Sequence, residues 1–410
     1  MTTSPPTQEA LNILSEIAEL GNGFKSGEQG AREGLLAAAS RLISSLQHPT
    51  ENALQLLWTQ PTHLAVVRMA VEIKLFQAML STPQAGERSA VIASRCVPEG
   101  TVDPILVARM LRHLASMSTI QETGPDLFAP TPTSLAYAEG NYQDTILFIM
   151  DNFQPALDAG PSFFRANGFQ APSSSVDAPF QHAFEKGVHY FEYFDKFDQE
   201  MGRRFASMMD VWSMGRQKWF DLDYYPVEER LISGASATSD DGQEGVFLVD
   251  VGGGTGHDVK GLREAFGDLL PGKLILQDRP EIIEHAVVSD SDVKMAHDFL
   301  TSQPIKGARA YFLHSIIQDW SDAINTQILR SLVPAMKQGY SKILINDYVV
   351  PDQGAHAAQT ALDWELMASL GSRHRTVAEH AALYAGAGLE IKGIWRHPHS
   401  LDSVIELELA

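Results

Sequence analysis

Residues 248–257 read Leu248-Val249-Asp250-Val251-Gly252-Gly253-Gly254-Thr255-Gly256-His257. Glycines at 252, 254 and 256 let a backbone turn tightly and approach a ligand closely. An apolar run precedes the loop and a helical stretch follows it, so a helix N-terminus faces that ligand. A dinucleotide fingerprint would need glycine at 257, where His257 stands. No lysine follows, as a phosphate loop would require. The pattern is therefore G-x-G-x-G behind an acid, Asp250. A second acid, Asp278, ends the apolar run Leu274-Ile275-Leu276-Gln277. There a carboxylate can accept hydrogen bonds from both hydroxyls of a ribose. Asp298-Phe299 closes the next strand candidate, offering an acceptor for an adenine amine and a ring to stack on the base. A glycine loop with acids at two successive strand ends points to an adenosyl ligand without a pyrophosphate.

The elements that would position these residues begin at Val246–Val251, a continuous apolar run broken only by Asp250, as in a buried parallel strand. Leu274 to Gln277, Ala310 to Leu313 and Lys342 to Ile345 are similar, with helical stretches between them. That alternation predicts an open α/β sheet, Rossmann-like, with helices on both faces. Leu389 to Leu409 adds two strands around a turn at Pro398-His399-Ser400. The first half reads as helical, over Gln8 to Leu20, Ala31 to Leu46, Thr62 to Leu80 and Asp103 to Met117. A small hairpin around Glu122-Thr123-Gly124-Pro125 follows, and helix, helix, hairpin is a winged-helix-like order. The expected division is 1–140 as a helical, winged-helix-like dimerisation domain and 141–410 as the catalytic domain. Within the latter, 141–230 is a helical, aromatic-rich connection. Its segment 190–197 carries five aromatic rings in eight positions and reads either as core or as the wall of an apolar pocket. Ser233 to Glu244 reads as an exposed loop.

These segments resemble the class I S-adenosylmethionine-dependent methyltransferases, and more narrowly the plant caffeate-type and fungal polyketide O-methyltransferases. The resemblance runs through Val249 to Gly256, Leu274 to Pro280, Tyr311 to Asp322, Ile343 to Pro351 and Gly371 to Thr376. It implies that Asp250, Gly252, Gly253, Gly254, Gly256, Asp278, Asp298 and Phe299 hold S-adenosylmethionine or S-adenosylhomocysteine. His314 stands where the family has Lys or Arg near the cofactor. It also implies a homodimer formed through the N-terminal domain and a small hydrophobic, polyketide-like substrate.

One departure from the family pattern bears on chemistry. The family's catalytic histidine precedes an Asp-Trp pair, and here Gln318 precedes Asp319-Trp320. A histidine near pKa 6.5 can take a proton from a phenol near pKa 10 as methyl transfer proceeds. A glutamine amide has donors and a weak acceptor but no useful basicity. Losing a positioned base costs about 10² to 10⁴ in rate. Of the two acids that support the family's histidine, one matches Asp347, and the other falls at His374. His374 is either a relocated base or a sign that the base machinery was redirected, with Arg373 and Arg375 as added donors. Asp319 is expected to orient its neighbour or cap a helix, and Trp320 to be core.

The first reading is accordingly a pericyclase on this fold, in fungal-type secondary metabolism. It would cyclise a polyketide-derived quinone methide by a Diels–Alder, hetero-Diels–Alder or Alder-ene step, as the leporin-type relatives do. The alternatives are a true O-methyltransferase acting on a phenolic or polyketide hydroxyl and a non-catalytic cofactor-binding partner.

Composition narrows the rest. The 410 residues carry 31 Lys and Arg against 51 Asp and Glu, a formal charge of −20. Such a surface repels nucleic-acid phosphates and anionic membranes, so neither is an expected partner. It also makes the winged-helix-like part an interface rather than a DNA reader. No apolar stretch of about 20 residues is present to span a membrane. The single cysteine, Cys96, and an N-terminus without a basic-then-apolar pattern suit a cytoplasmic protein. The fourteen histidines form no metal-ligand spacing, and no metal is expected.

Overall fold

The computed structural model describes residues 7–238, 242, 244–397 and 400–410. It divides into two units, one of residues 1–152 with 199–214 and one of residues 153–198 with 215–410.

In the first unit, helix Gln8–Ser26 starts where Thr7 accepts a hydrogen bond from the Ala10 N–H, and it ends at Gly27. It packs on helix Ala31–Leu46. The expected helix over 62–80 is broken. Gln60–Glu72 stops, Lys74 takes φ +51°, and Leu75–Ala78 follows. The break has a tertiary cause, since the Ile73 carbonyl accepts from Val97 N–H at 2.9 Å. Helices Ser89–Ser94 and Pro104–Ser116 lie beside a hairpin of Gln121–Gly124 and Leu127–Ala129, with Glu87–Arg88 as a third strand. Leu75, Phe76, Ile92, Leu111, Leu114 and Phe128 form the centre of this core. The first unit extends past residue 140. Helix Gly140–Phe148 packs on Gln199–Ser213, where Arg203 grips Asp144 at 2.7 Å and Ser207 donates to the same carboxylate. Those contacts carry 199–214 out of the expected connecting region.

The second unit is built on strands β1 (Val246–Val251), β2 (Lys273–Asp278), β3 (Val293–Ala296), β4 (Ala310–His314), β5 (Lys342–Val350), β6 (Leu389–Arg396) and β7 (Asp402–Leu409). Their order is β6-β7-β5-β4-β1-β2-β3, with the two-residue strand Arg375–Thr376 paired to β5. β1 to β5 are parallel, and β7 runs antiparallel to β5 and β6. Alternate residues bury to opposite faces. Val249, Tyr311, Leu313, Ile343 and Ile405 fill one core, and Leu248, Leu274, Phe312, Leu344 and Val404 fill the other. Each expected strand is present. Residues 398 and 399 of the expected final turn lie outside the described residues. The chain goes from β1 outward to β2 and β3, then returns to β4 on the other side of β1. Such a reversal opens a crevice at the carboxyl ends of the central strands, where open α/β sheets bind ligands.

Among the described residues, no helix is long and apolar enough to cross a membrane.

Candidate active site

All three predicted glycines occupy the left-handed region, at φ +76° for Gly252, +59° for Gly254 and +92° for Gly256. The Gly252 and Gly253 N–H groups donate to the Gln277 carbonyl, pinning the loop to β2. A Cβ on Gly252 would lie 2.7 Å from Ile316, and one on Gly253 would lie 2.2 Å from the Asp250 carboxylate. Neither of these two positions has room for a side chain, and helix His257–Phe266 begins directly after the loop.

Asp278 closes β2. Its Oδ2 accepts from Gly254 N–H at 2.8 Å and its Oδ1 from Arg279 N–H at 2.7 Å. Burial raises its pKa against those two bonds. Each oxygen keeps a lone pair for a ribose hydroxyl. Asp250 is fully buried and neither carboxylate oxygen has a partner among the described residues. Burial, and then repulsion from Asp258, hold it well above the usual carboxylate range. Asp298 is exposed and folds back to accept from Leu300 N–H at 2.9 Å. Phe299 is half-buried, near Gly252 and edge-on to Trp320.

His314, at the end of β4, bonds Asp258 through Nδ1 at 2.7 Å. Burial works against the imidazolium, but the charge of Asp258 and its hydrogen bond outweigh burial and raise His314 to about 9. A cation thus stands where the family has Lys or Arg.

Gln318 lies in a short helical turn, Ile317–Asp319, just past β4. It is 7% exposed, and its Oε1 has no partner among the described residues. Its backbone is held from both sides. The Gln318 N–H donates to Asp347 Oδ2 at 3.0 Å, and Ser372 Oγ donates to its carbonyl. Burial lifts Asp347 to about 7, with the charge of His314 opposing. Asp319 is pushed well above its ordinary range by burial and by Asp347. It caps no helix, because Ser321 is the N-cap of helix Asp322–Leu332.

His374 is placed differently from a reactive base. It is 5% exposed, its ring meets Tyr348 edge-on at 5.0 Å, and burial drops its pKa to about 4. Arg375 is 1% exposed and donates to the Ile317 and Trp320 carbonyls while pairing Asp322. Arg373 pairs Asp322 and Glu379. Both guanidiniums hold the 317–322 segment or its surroundings, which corrects the expectation that they serve as added donors. Trp320 meets its expectation in part: it is half-buried, packs against the main core and stacks on His189 at 4.9 Å and 14°. The aromatic segment divides, with Tyr190 and Phe194 buried and Phe197 exposed.

Sequence reasoning passed over Glu365, on helix Ala357–Leu370. Burial raises it to about 7, and its Oε2 is buried without a partner among the described residues. A lone acid in the run Trp364-Glu365-Leu366-Met367-Ala368 was the available signal.

A family model described as the O-methyltransferase domain matches residues 229–390. The chain is 35% identical to O-methyltransferase mpaG of Penicillium brevicompactum over 402 residues, 97% of this chain and 98% of that protein. The chain belongs to the O-methyltransferase family. A namesake from Penicillium roqueforti (strain FM164) is 36% identical over 98% of this chain and all of its own length. Among solved structures, LepI in complex with SAM aligns with a TM-score of 0.85 at 26% identity, covering 98% of this chain and 100% of that one. OxaC in complex with sinefungin and meleagrin aligns at 0.80 and 25%, covering 98% and 99%. The fold is that of the class I methyltransferases, including the helical N-terminal region. The family binds S-adenosylmethionine, and solved relatives hold it or its demethylated form.

Proposed function

We propose that this O-methyltransferase-type enzyme belongs to fungal secondary metabolism and cyclises a polyketide-derived quinone methide, with S-adenosylmethionine bound beside the substrate. The backbone of Gly252 to Gly256 would cradle the cofactor, Asp278 would take its ribose, and Asp298 with Phe299 its adenine. The close packing at Gly252, Gly253 and Gly256 and the unpartnered Asp250 carboxylate support that fit. Bound there, the cofactor supplies a sulfonium charge in a water-poor site. Gln318 carries the reading, because an amide stands where transferase chemistry needs a base. Its side-chain NH2 group would donate to a substrate carbonyl and stabilise charge developing there in a polarised transition state. Asp347 would hold the Gln318 backbone in position. His374, buried and weakly basic, gives methyl transfer no substitute.

The test compares product mass and isomer composition with cofactor, with its demethylated form and with neither. Cyclised isomer without S-adenosylhomocysteine supports the reading, and stoichiometric S-adenosylhomocysteine overturns it. The second reading, methyl transfer to a phenolic hydroxyl, draws on the 35% identity to named O-methyltransferases. Proximity alone is worth about 7–11 kcal/mol, enough to offset a lost base. Transfer of labelled methyl into product would establish it.

We also propose that two copies pair through the N-terminal helices, where Leu56, Leu57 and Trp58 are 59%, 68% and 71% exposed. Large apolar side chains this exposed mark association surfaces.

A further inference from the structure

Gln277, in the apolar run of β2, has no exposed surface, and Gln303 has none either. Their amides pair head to tail. Gln277 Nε2 donates to Gln303 Oε1 at 2.9 Å, and Gln303 Nε2 donates to Gln277 Oε1 at 2.8 Å. The Ile305 N–H donates to Gln303 Oε1 at 3.1 Å, which fixes the orientation of that amide, because its oxygen alone accepts. Such a pair adds little net stability, since two apolar side chains of the same shape would be about as stable. What it adds is position. Two directed hydrogen bonds specify one arrangement, which apolar contact does not.

The pair stands between the two halves of the candidate adenosyl site. On one side, the Gln277 carbonyl takes the Gly252 and Gly253 N–H groups, and the next residue is Asp278. On the other, Gln303 closes the segment that begins with Asp298 and Phe299. Backbone bonds tie this stretch to β2 as far as His297, whose N–H donates to the Asp278 carbonyl at 2.9 Å. Past His297 the amide pair makes the tie. Three further bonds hold the segment to helix Asp322–Leu332. Ser331 Oγ donates to the Phe299 carbonyl, Gln327 to the Leu300 carbonyl, and the Gln303 N–H to the Ser331 carbonyl. The Asp298 carboxylate is fixed to the same segment through Leu300 N–H, so it moves when the segment moves.

We infer that the Gln277–Gln303 pair is the positioning device of the adenosyl site, setting the distance from the ribose acid Asp278 to Asp298 and Phe299 and thereby selecting a 6-aminopurine over a 6-oxopurine. The inference rests on the cofactor placement above and holds for cyclisation and methyl transfer alike. A carboxylate at hydrogen-bonding distance accepts from the 6-amino group and repels a 6-oxo group. That discrimination weakens steeply once distance and angle are lost. Gln277 and Gln303 act through Asp298 and Phe299, and their own amides are occupied by each other.

The experiment titrates S-adenosylhomocysteine and S-inosylhomocysteine, which carries an oxo group in place of the amine, into wild type, Gln277→Leu, Gln303→Leu and the double variant. Melting temperatures are measured without ligand. Each single variant strands a buried amide and should melt about 5 °C lower, and the double variant should recover most of that shift. Wild type should prefer the adenosyl ligand by about tenfold or more. In the double variant that preference should fall to about threefold or less, with S-adenosylhomocysteine itself bound about tenfold more weakly. Recovered stability with an unchanged preference would show a merely structural pair and overturn the inference. A double variant no more stable than the singles would show that the two amides do not satisfy each other, with the same consequence. Equal binding of both ligands by wild type overturns the placement of adenine at Asp298 and Phe299, and the inference with it.

Discussion

The Gln318 N–H donates to Asp347 Oδ2 at 3.0 Å, so the acid reaches the main chain at 318. In a transferase site the same acid would support a histidine ring. Here the contact sets where the Gln318 amide stands, and it survives substitution of the side chain.

Gln318→His should therefore place an imidazole on a backbone that is already held. The expected outcome is new methyl ether product from phenolic substrates, raised by about 10² or more. Gln318→Ala should reduce cyclisation selectivity without creating methylation. Labelled methyl incorporation and product isomer ratios measure the two effects. No gain in Gln318→His would show that the lost base alone does not separate this site from a transferase.

Asp250 pits affinity against stability. Its folded pKa is raised, so the native state binds a proton more tightly than the unfolded state, and the cost of Asp250 grows as pH rises above 3.8. Asp250→Asn should raise the unfolding temperature of the cofactor-free protein at pH 7 by about 2–4 °C per kcal/mol relieved. It should also weaken S-adenosylmethionine binding. Scanning calorimetry and titration calorimetry on the same sample read both effects.

The His314–Asp258 pair yields a pH signature of the opposite sign. The His314 pKa is raised from 6.5 to about 9, so its stabilisation is fully present below pH 6.5 and lost as pH rises through 9. Wild type should lose its melting-temperature advantage over His314→Gln across that window. A constant difference from pH 6 to pH 9.5 would contradict the pairing.

How far the sequence speaks depends on the range of the interaction. The glycine loop is legible because positive φ at 252, 254 and 256 is a local demand that glycine meets. The central strands are legible because both faces are buried and their apolar runs are unbroken. The break at Lys74 depends on Ile73 bonding Val97, and the first unit takes in 199–214 through Asp144 and Arg203. No window of sequence contains either partner pair. Glu365 and Tyr190 are 175 positions apart in the chain (365 − 190), so their meeting emerges only from the packing of two helices. His374 shows the converse. Its residue type suggests a base, and burial removes the basicity.

The exposed apolar side chains at 56–58 give a test of assembly. Trp58→Glu with Leu57→Glu should shift the protein to a smaller species in sedimentation velocity at micromolar concentration. Unchanged sedimentation would remove these residues from the proposed interface.

Glu406, on β7, is a buried charge whose loss by a single substitution has a readable cost. Its carboxylate is fully buried and takes Lys342 Nζ at 2.6 Å, Arg230 at 2.5 Å and the Tyr225 hydroxyl at 2.6 Å. Burial opposes its charge, but these partners outweigh burial and hold its pKa below 4.5. Its stabilisation is present above pH 4.5 and lost as pH falls through the depressed value. Glu406→Ala leaves the buried Lys342 with Glu408 as its one ion-pair partner among the described residues, at about 3–5 kcal/mol. Glu406→Leu with Lys342→Met removes both charges and should recover most of that loss. Urea denaturation of the two variants distinguishes the cost of an unpaired charge from the loss of side-chain volume. Equal destabilisation of single and double variants would show that packing, not charge, holds β7 to β5.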